Sequence, residues 1–451
     1  MKSHYIPTSI LILWFLSSCQ SETTQPKGAK DSPSDKGDNG VDTDRPGDES
    51  GTNSDITGDT SSGSPEDTNP TGTCREWTGV DILVVIDNSS SMAEEQQILS
   101  SSIYTLINNL THSPQADWPF SAVTDIRFGV TTTDLGLQFG ESRSIAPTSV
   151  DSCRVLRGDD GQLLPIRPEI TVINVESGQI DCTENHHCPA EFTCINGSCI
   201  APGSIPTVNC SPTLADGLAT TETSSPNDAL ATQAACLVQQ GTYGCGVEQQ
   251  LEASVRSLET NPHFLSKDHA LAVIIVTDEE DCSIRDQSLF STEEWTSGAS
   301  HLLNVACNYP PINNTYLFDA DRYRDTFVSL KGGESGVVFA AIVGVPPASD
   351  ARCEGDGEQI QGCLNHTDMQ IDIALFETMD GYEYTHLKPA CTRTQGAAEI
   401  TAARPGRRYV EVAELFGKNG YISSICNSNW SPAMTRIAEI IARQIDMPCE
   451  K

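Results

Sequence analysis

Residues 81–91 read DILVVIDNSSS, and this stretch decides the fold. Its first part is a continuous apolar run between two carboxylates, which predicts a strand buried on both faces, as in a parallel sheet. Residues 270–278 (ALAVIIVTD) and 337–345 (VVFAAIVGV) have the same character. A further strand and four helices are predicted around them: the strand over residues 126–133 and the helices over residues 93–109, 247–258, 321–331 and 432–445. The alternation predicts an α/β fold with a doubly wound, mostly parallel central sheet and helices on both faces.

The composition excludes some functions and indicates a compartment. The chain has 451 residues, 17 cysteines and a formal net charge of −35. Binding to nucleic acid or to an anionic membrane face requires a basic surface, so both are disfavoured. Because thiols stay reduced in the cytosol, this number of cysteines favours an oxidising compartment.

The amino-terminal segment predicts export and lipid anchoring. Residues 10–16 read ILILWFL, a run too short to span a bilayer, so residues 1–18 are predicted to be a signal peptide. The residues up to Cys19 resemble a bacterial lipobox, whose cysteine is acylated after the chain is cut in front of it. An ordinary secretory signal with an incidental cysteine is the alternative. Gln20 favours the outer membrane by resemblance to enteric sorting, which predicts a lipid-anchored envelope protein facing the periplasm or the cell surface.

Residues 19–73 predict a disordered acidic tether after the lipidated cysteine. From residue 20 onward the segment has 12 acidic and 4 basic residues and no aromatic residue. Such a segment cannot bury enough apolar surface to offset its chain entropy, and its charges repel one another. We expect it to hold the folded part, residues 74–451, away from the lipid surface.

Two of the buried strands lead into polar loops that predict a cation site. Asp87, Ser89 and Ser91 form a D-x-S-x-S pattern directly after the first strand, and Asp278 follows the strand that ends near Val276. Ligands of parallel sheets bind beyond the carboxyl ends of the strands, so we expect these side chains to meet there. Carboxylate and hydroxyl oxygens suit Mg²⁺, with Mn²⁺ or Ca²⁺ as alternatives.

These motifs resemble the von Willebrand factor type A (vWA) domain, the module also inserted in integrins. The family's metal-ion-dependent adhesion site uses the D-x-S-x-S loop, a middle-loop Thr and an Asp after the fourth strand. The resemblance therefore implies Asp87, Ser89, Ser91 and Asp278 as metal ligands, and Thr242 is the candidate for the middle-loop Thr. It further implies that an Asp or Glu of a protein partner fills an open position on the cation. The expected protein is an adhesion or protein-binding lipoprotein.

Two other functions stay open at this point. A metal-dependent hydrolase on a similar sheet would use Asp278 and Glu279 for acid/base work, whereas a domain with a degenerate metal site would serve as a scaffold. The zinc-protease, phosphate-loop and nucleophile-elbow motifs are absent from the sequence, so no enzyme is expected. Glu279, Glu280 and Asp281 either strengthen cation attraction or form a solvated loop.

The cysteines divide evenly once the lipidated Cys19 is set aside. Eight lie within residues 140–245, which we interpret as a Cys-rich insertion in the vWA domain, and eight lie outside it. Each set can therefore close its own disulfides.

Two sets of pairings are implied by resemblance. Some type A domains join their two ends by a bridge, which here implies a bond between Cys74 and Cys449. The dense cluster in the insertion resembles small two-disulfide modules of secreted proteins, which pair first to third and second to fourth. That resemblance gives the bonds Cys182–Cys194 and Cys188–Cys199.

Overall fold

The computed structural model describes residues 77–112, 118–136, 158–167, 216–221, 228–286, 316–347, 352–377, 383–395 and 398–446, with short pieces between 138 and 214 and between 289 and 308. The predictions for the signal peptide, the tether and five cysteines fall outside these residues; the cysteines are Cys19, Cys74, Cys182, Cys188 and Cys449. None of the helices in the described part combines the length and the apolarity that crossing a membrane requires.

A seven-stranded sheet forms the centre of the described part. In chain order its strands are β1 (Gly79–Ile86), β2 (Ile126–Thr132), β3 (Leu218–Thr220), β4 (His269–Val276), β5 (Val337–Val343), β6 (Gly355–Asp356) and β7 (Gly420–Ser424). They are arranged in the order β6-β7-β5-β4-β1-β2-β3. The five inner strands are parallel, and the two short edge strands are antiparallel to their neighbours. The predicted α/β class with a mostly parallel central sheet is therefore confirmed.

Helices cover both faces of this sheet. Among the described residues they are α1 (Ala93–Thr111), α2 (Asp228–Leu237), α3 (Gln250–Thr260), α4 (Ala320–Lys331), α5 (Arg407–Leu415) and α6 (Ser431–Asp446). The apolar side chains of α1, α2 and α6 join one core cluster, and those of α3, α4 and α5 join a second cluster. The sheet separates the two clusters.

Strand β1 is apolar throughout because both of its faces are buried. Ile82 and Val84 enter the core under α1, whereas Leu83 and Val85 enter the core under α3, because successive side chains of a strand point to opposite faces. All eight residues of β1 are buried. Burying each such aliphatic side chain adds about 1.5–3 kcal/mol to the free energy of unfolding.

The segment predicted as an insertion contains two elements of the core. Strand β3 pairs with β2 at the sheet edge, and α2 packs against α1. The chain therefore returns to the sheet well before residue 245. Short antiparallel strands lie elsewhere in this segment: Gln138–Phe139 with Arg143–Ser144, Val172–Ile173 with Val208–Asn209, and Thr193–Ile195 with Ser198–Ile200.

Disulfide bonds in the described part join cysteines of the same predicted set. They are Cys210–Cys236 in the insertion, and Cys282–Cys307, Cys353–Cys363 and Cys391–Cys426 outside it. Cys245 is also disulfide-bonded. In the predicted small module, the backbone places Cys194 directly opposite Cys199 in a hairpin.

Two hairpins lie between β6 and α5. One pairs Ile373–Glu377 with Glu383–Leu387, and the other pairs Cys391–Gln395 with Ala398–Ala403. Single turns of 3₁₀ helix complete the described structure: Glu334–Gly336, Cys363–Asn365, Thr367–Met369 and Gly417–Asn419.

A buried ionic cluster closes the amino-terminal end of the sheet. The carboxylate of Asp81 is fully buried in β1. It accepts hydrogen bonds from Nζ of Lys331 (2.8 Å), from Nδ1 of His269 (2.9 Å) and from the backbone N–H of Ser266 (2.8 Å). Lys331 is itself only 3% exposed, and its Nζ also donates to the carbonyl of Ser266 at 2.9 Å. Charge at this end of the sheet is therefore balanced within the protein.

We predict that Asp81→Ala destabilises the full-length protein by about 3–5 kcal/mol, because it removes the buried carboxylate that accepts hydrogen bonds from Lys331, His269 and Ser266. Urea unfolding followed by circular dichroism, with disulfides intact, measures this loss. Asp325→Ala on the outer face of α4 is the matched control and should change the free energy of unfolding by less than about 0.5 kcal/mol. A similar small effect of both substitutions would contradict the prediction.

Candidate cation-binding site

The two predicted site loops lie side by side at the carboxyl ends of β1 and β4. These neighbouring parallel strands pair in a register that sets Ile86 opposite Val276. Both strands end at the same level, and the backbone N–H of Asp87 donates to the carbonyl of Val276 at 3.0 Å. Asp87 and Asp278 are therefore brought together although 191 positions separate them in the sequence.

A chain of hydrogen bonds connects the four predicted carboxylate and serine ligands. The backbone N–H of Ser89 donates to Oδ1 of Asp87 at 2.7 Å. The hydroxyls of Ser89 and Ser91 lie 3.1 Å apart, and the Ser91 hydroxyl donates to Oδ1 of Asp278 at 3.1 Å. Asp87 and Asp278 are almost fully buried, whereas Ser91 is exposed. The arrangement presents oxygen atoms from both loops at one surface position.

Thr277 fixes the orientation of Asp87, a role that the sequence did not indicate. Its hydroxyl donates to Oδ2 of Asp87 at 2.6 Å. The Thr277 hydroxyl oxygen in turn accepts from Nε2 of Gln250 at 2.9 Å and from the backbone N–H of Glu279 at 3.1 Å. Thr277 is therefore a positioning residue that links β4 and α3 to the Asp87 carboxylate.

The loop that carries Thr242 lies at the rim of the site. The side-chain amide of Gln96 bonds both backbone groups of Gly241, and the N–H of Gly244 donates to the carbonyl of Asn88 at 2.7 Å. The half-buried Thr242 side chain makes no hydrogen bond with any residue in the described ranges. The structure thus holds the loop of Thr242 against the loop that carries Ser89 and Ser91.

Glu248 is a site residue that the sequence analysis missed. It lies on the same connection, two residues before α3, and is 8% exposed. Burial and the charges of Asp87, Glu279 and Asp278 hold the pKa of Glu248 well above its usual range. The only sequence signal was a carboxylate directly before an amphipathic helix, where an acidic residue usually interacts favourably with the helix dipole.

Buried negative charge dominates the electrostatics of the site. Burial and then the charges of Glu279 and Asp87 hold the pKa of Asp278 well above its usual range. Burial also raises the pKa of Asp87, against the lowering effect of hydrogen bonds from Thr277 and Ser89. Burial raises the pKa of Glu279 to about 7, although the charge of Arg404 opposes the shift.

The acidic run after Asp278 is not a solvated loop, which corrects one of the two sequence interpretations. Glu280 is buried and accepts from the backbone N–H groups of Arg407 and Arg408 at the start of α5. Asp281 is buried and bonds the Arg408 guanidinium and the N–H of Leu251, each at 2.8–2.9 Å. These two carboxylates anchor helices, whereas Glu279 pairs with the Arg404 guanidinium at 3.5 Å.

Surplus hydrogen-bond acceptors around the site fit a cation. Oδ1 of Asn88 and Oε1 of Gln250 are buried, and neither has a donor among the described residues. Unpaired buried polar atoms are costly, and an excess of acceptors calls for donors or positive charge. The described residues contain no preassembled group of three or more His, Cys, Asp or Glu side chains that could hold a metal. The candidate donor set therefore depends on hydroxyls as well as carboxylates.

Comparisons with known proteins do not assign a family. No family model matches this chain, and no curated protein matches it. One matching solved structure is the crystal structure of the human COPII-coat protein Sec24c, which is 11% identical with a TM-score of 0.22. The match covers 61% of this chain and 28% of that chain. This likeness is too slight to bear on fold or function.

We predict that the affinity of the protein for Mn²⁺ rises about three- to tenfold between pH 6 and pH 8. The pKa of Glu279 near 7 means that the site gains negative charge across this interval, and the raised pKa values of Asp278 and Glu248 act in the same direction. Titration calorimetry at the two pH values tests this. Glu279→Gln should flatten the dependence, and equal wild-type affinity at both pH values would contradict the prediction.

Proposed function

We propose that this chain is a bacterial envelope lipoprotein whose folded part is a vWA domain that binds a divalent cation and, through it, a protein partner. The observation that carries the proposal is the hydrogen-bonded chain Ser89–Ser91–Asp278, which joins polar loops after two adjacent parallel strands. These are the residues that the resemblance to the type A family nominated, and they converge at the edge where α/β sheets bind ligands.

The sheet supports the family assignment that the proposal makes. If the short edge strand β6 is left out and β7 is counted as strand 6, the strands lie in the order 3-2-1-4-5-6. This order is typical of doubly wound α/β folds. The candidate site lies between strands 1 and 4, where this order reverses direction. Helices on both faces complete the doubly wound architecture that we propose.

The donor set supports a hard divalent cation. Asp87, Ser89, Ser91 and Asp278 offer only oxygen atoms, which Mg²⁺, Mn²⁺ and Ca²⁺ prefer. A bound cation would supply an open coordination position for an oxygen of the partner, such as an Asp or Glu side chain. Thr277 orients Asp87, and exposed Ser91 places the site where a partner can reach it.

The amino-terminal sequence supports the location. Lipidation of Cys19 would anchor the chain, and the acidic tether over residues 19–73 would place the domain beyond the membrane surface, where a partner is accessible. We propose the outer membrane because Gln20 follows the lipidated residue.

We predict that the purified protein binds Mg²⁺ and Mn²⁺ and that Asp87→Asn and Asp278→Asn each lower the affinity at least tenfold, since each removes one anionic ligand. Titration calorimetry measures the affinity. Asp325→Asn changes the net charge equally at an exposed position of α4 and is the matched control. Unchanged affinity in both site variants would contradict the proposed site.

We further predict that immobilised wild-type protein retains envelope proteins in Mg²⁺ and releases them in EDTA, because the partner's oxygen binds the cation directly. Asp278→Asn protein should retain none of these proteins, and Asp325→Asn protein should retain them as wild type does. Mass spectrometry of the EDTA eluate compares the three samples. Retention that survives EDTA would exclude binding through the cation.

A further inference from the structure

A cavity lies beside the short edge strand β6, at the opposite side of the sheet from β3. Its volume is about 620 Å³, and sites for small molecules typically measure about 300–1,000 Å³. Residues in and next to β6 and β7 line one side, and the loop over residues 427–429 and the first turns of α6 line the other. Tyr421, Pro432 and Ala433 contribute apolar surface. The described lining residues include none of the candidate cation site, which lies between β1 and β4.

Two lining side chains keep one free hydrogen-bond acceptor each. Oε1 of Glu354 accepts from Nδ2 of Asn427 at 2.6 Å, from the hydroxyl of Ser423 at 3.0 Å and from the backbone N–H of Ser424 at 2.6 Å. Oε2 of Glu354 and Oδ1 of Asn427 form no hydrogen bond with the described part of the chain. Both side chains are therefore held at one end and present an acceptor at the other.

Two further lining side chains keep a free donor. Oε1 of Gln359 accepts from the backbone N–H of Asp356 at 3.0 Å, and Oδ1 of Asn429 accepts from the backbone N–H of Ser431 at 2.9 Å. Because backbone donors hold the amide oxygens, the amide nitrogens are the free ends. Neither nitrogen has an acceptor among the residues that the structure describes. The cavity thus carries two oriented donors beside two oriented acceptors.

The loop that contributes Asn427 and Asn429 is fixed from both sides. The disulfide Cys391–Cys426 holds the residue before the loop. After it, the fully buried Trp430 donates from Nε1 to the carbonyl of Asn427 at 2.9 Å. Side chains held in this way lose little conformational entropy when a ligand binds.

The charges of the cavity disfavour a charged ligand. Arg436 is the one Lys, Arg or His among the described lining residues, and its guanidinium already bonds both carboxylate oxygens of Asp356 and one of Glu439. An anion therefore finds no free cation and meets the carboxylate of Glu354. An ammonium group would find that carboxylate, but the free amide donors of Gln359 and Asn429 oppose it. A neutral ligand fits best.

We propose that this cavity is a binding site for a neutral saccharide. Each sugar hydroxyl both donates and accepts, so neighbouring hydroxyls can satisfy the free acceptors of Glu354 and Asn427 and the free donors of Gln359 and Asn429. The ring of Tyr421 and the side chain of Ala433 offer apolar surface to the C–H groups of the sugar. The inference is independent of the proposed cation function, because the two sites share no described residue.

Saturation-transfer NMR of the full chain, with and without EDTA, tests the ligand class. The probes are maltose, cellobiose, lactose and diacetylchitobiose, with glucose 6-phosphate and glucosamine as charged probes. At least one of the disaccharides should bind equally with and without EDTA, and both charged probes should bind at least fivefold more weakly. Binding of none of the disaccharides, a preference for a charged probe, or loss of binding in EDTA overturns the inference.

Isosteric variants test the location with the disaccharide that binds. Asn429→Asp and Gln359→Glu keep the oxygen that accepts from the backbone and turn the free donor into an acceptor, so each should lower the affinity at least fivefold. Asn429→Asp also places negative charge at the amino terminus of α6, where it does not destabilise the helix.

The matched controls for these variants are Asn365→Asp and Gln361→Glu. They make the same chemical changes at exposed positions outside the cavity and should change the affinity less than twofold. Thermal unfolding of all four variants should stay close to that of the wild type. Affinity within twofold of wild type in both cavity variants, or equal losses in the controls, overturns the location.

Discussion

Parallel pairing of β1 with β4, in a register that ends both strands at the same level, is the constraint on which the rest of the structure depends. The pairing requires both strands to be apolar on both faces, and this places one core under α1 and another under α3. It also forces the polar residues that follow each strand to share one edge. Asp87 and Asp278 lie close together there because each follows the last residues of one of these two paired strands.

The two ends of β1 differ in how the charge of a buried carboxylate is balanced. Asp81 at one end has a lysine, a histidine and a backbone donor, so its charge is balanced by the fold itself. Asp87 at the other end accepts from the neutral donors of Ser89 and Thr277, and its charge helps to raise the pKa of neighbouring Asp278. Buried charge is therefore paired at the amino-terminal end of β1, whereas negative charge is in excess at its carboxyl end. The second condition is the physical basis of the proposed cation site.

Long apolar runs made most of the fold predictable. Strands β1, β4 and β5 and helices α1, α3, α4 and α6 were expected within a few residues of their observed bounds, because each carries enough apolar residues to fix its period. Strand β3 has three residues and β7 has five, GYISS, which are too short and too mixed to predict a strand alone. Their pairing depends on an existing neighbour, so they become strands only when the sheet is assembled.

By itself, the sequence determined the α/β class, the buried strands and four side chains of the candidate site, because those features follow from local apolar runs and from motifs directly after them. Only the tertiary structure decided how the other acidic residues are used. Glu280 and Asp281 anchor helices, and Glu248 is buried, although all three are polar residues in loops. The reason is that burial and the sign of neighbouring charges are set by contacts between distant segments, which no local pattern contains.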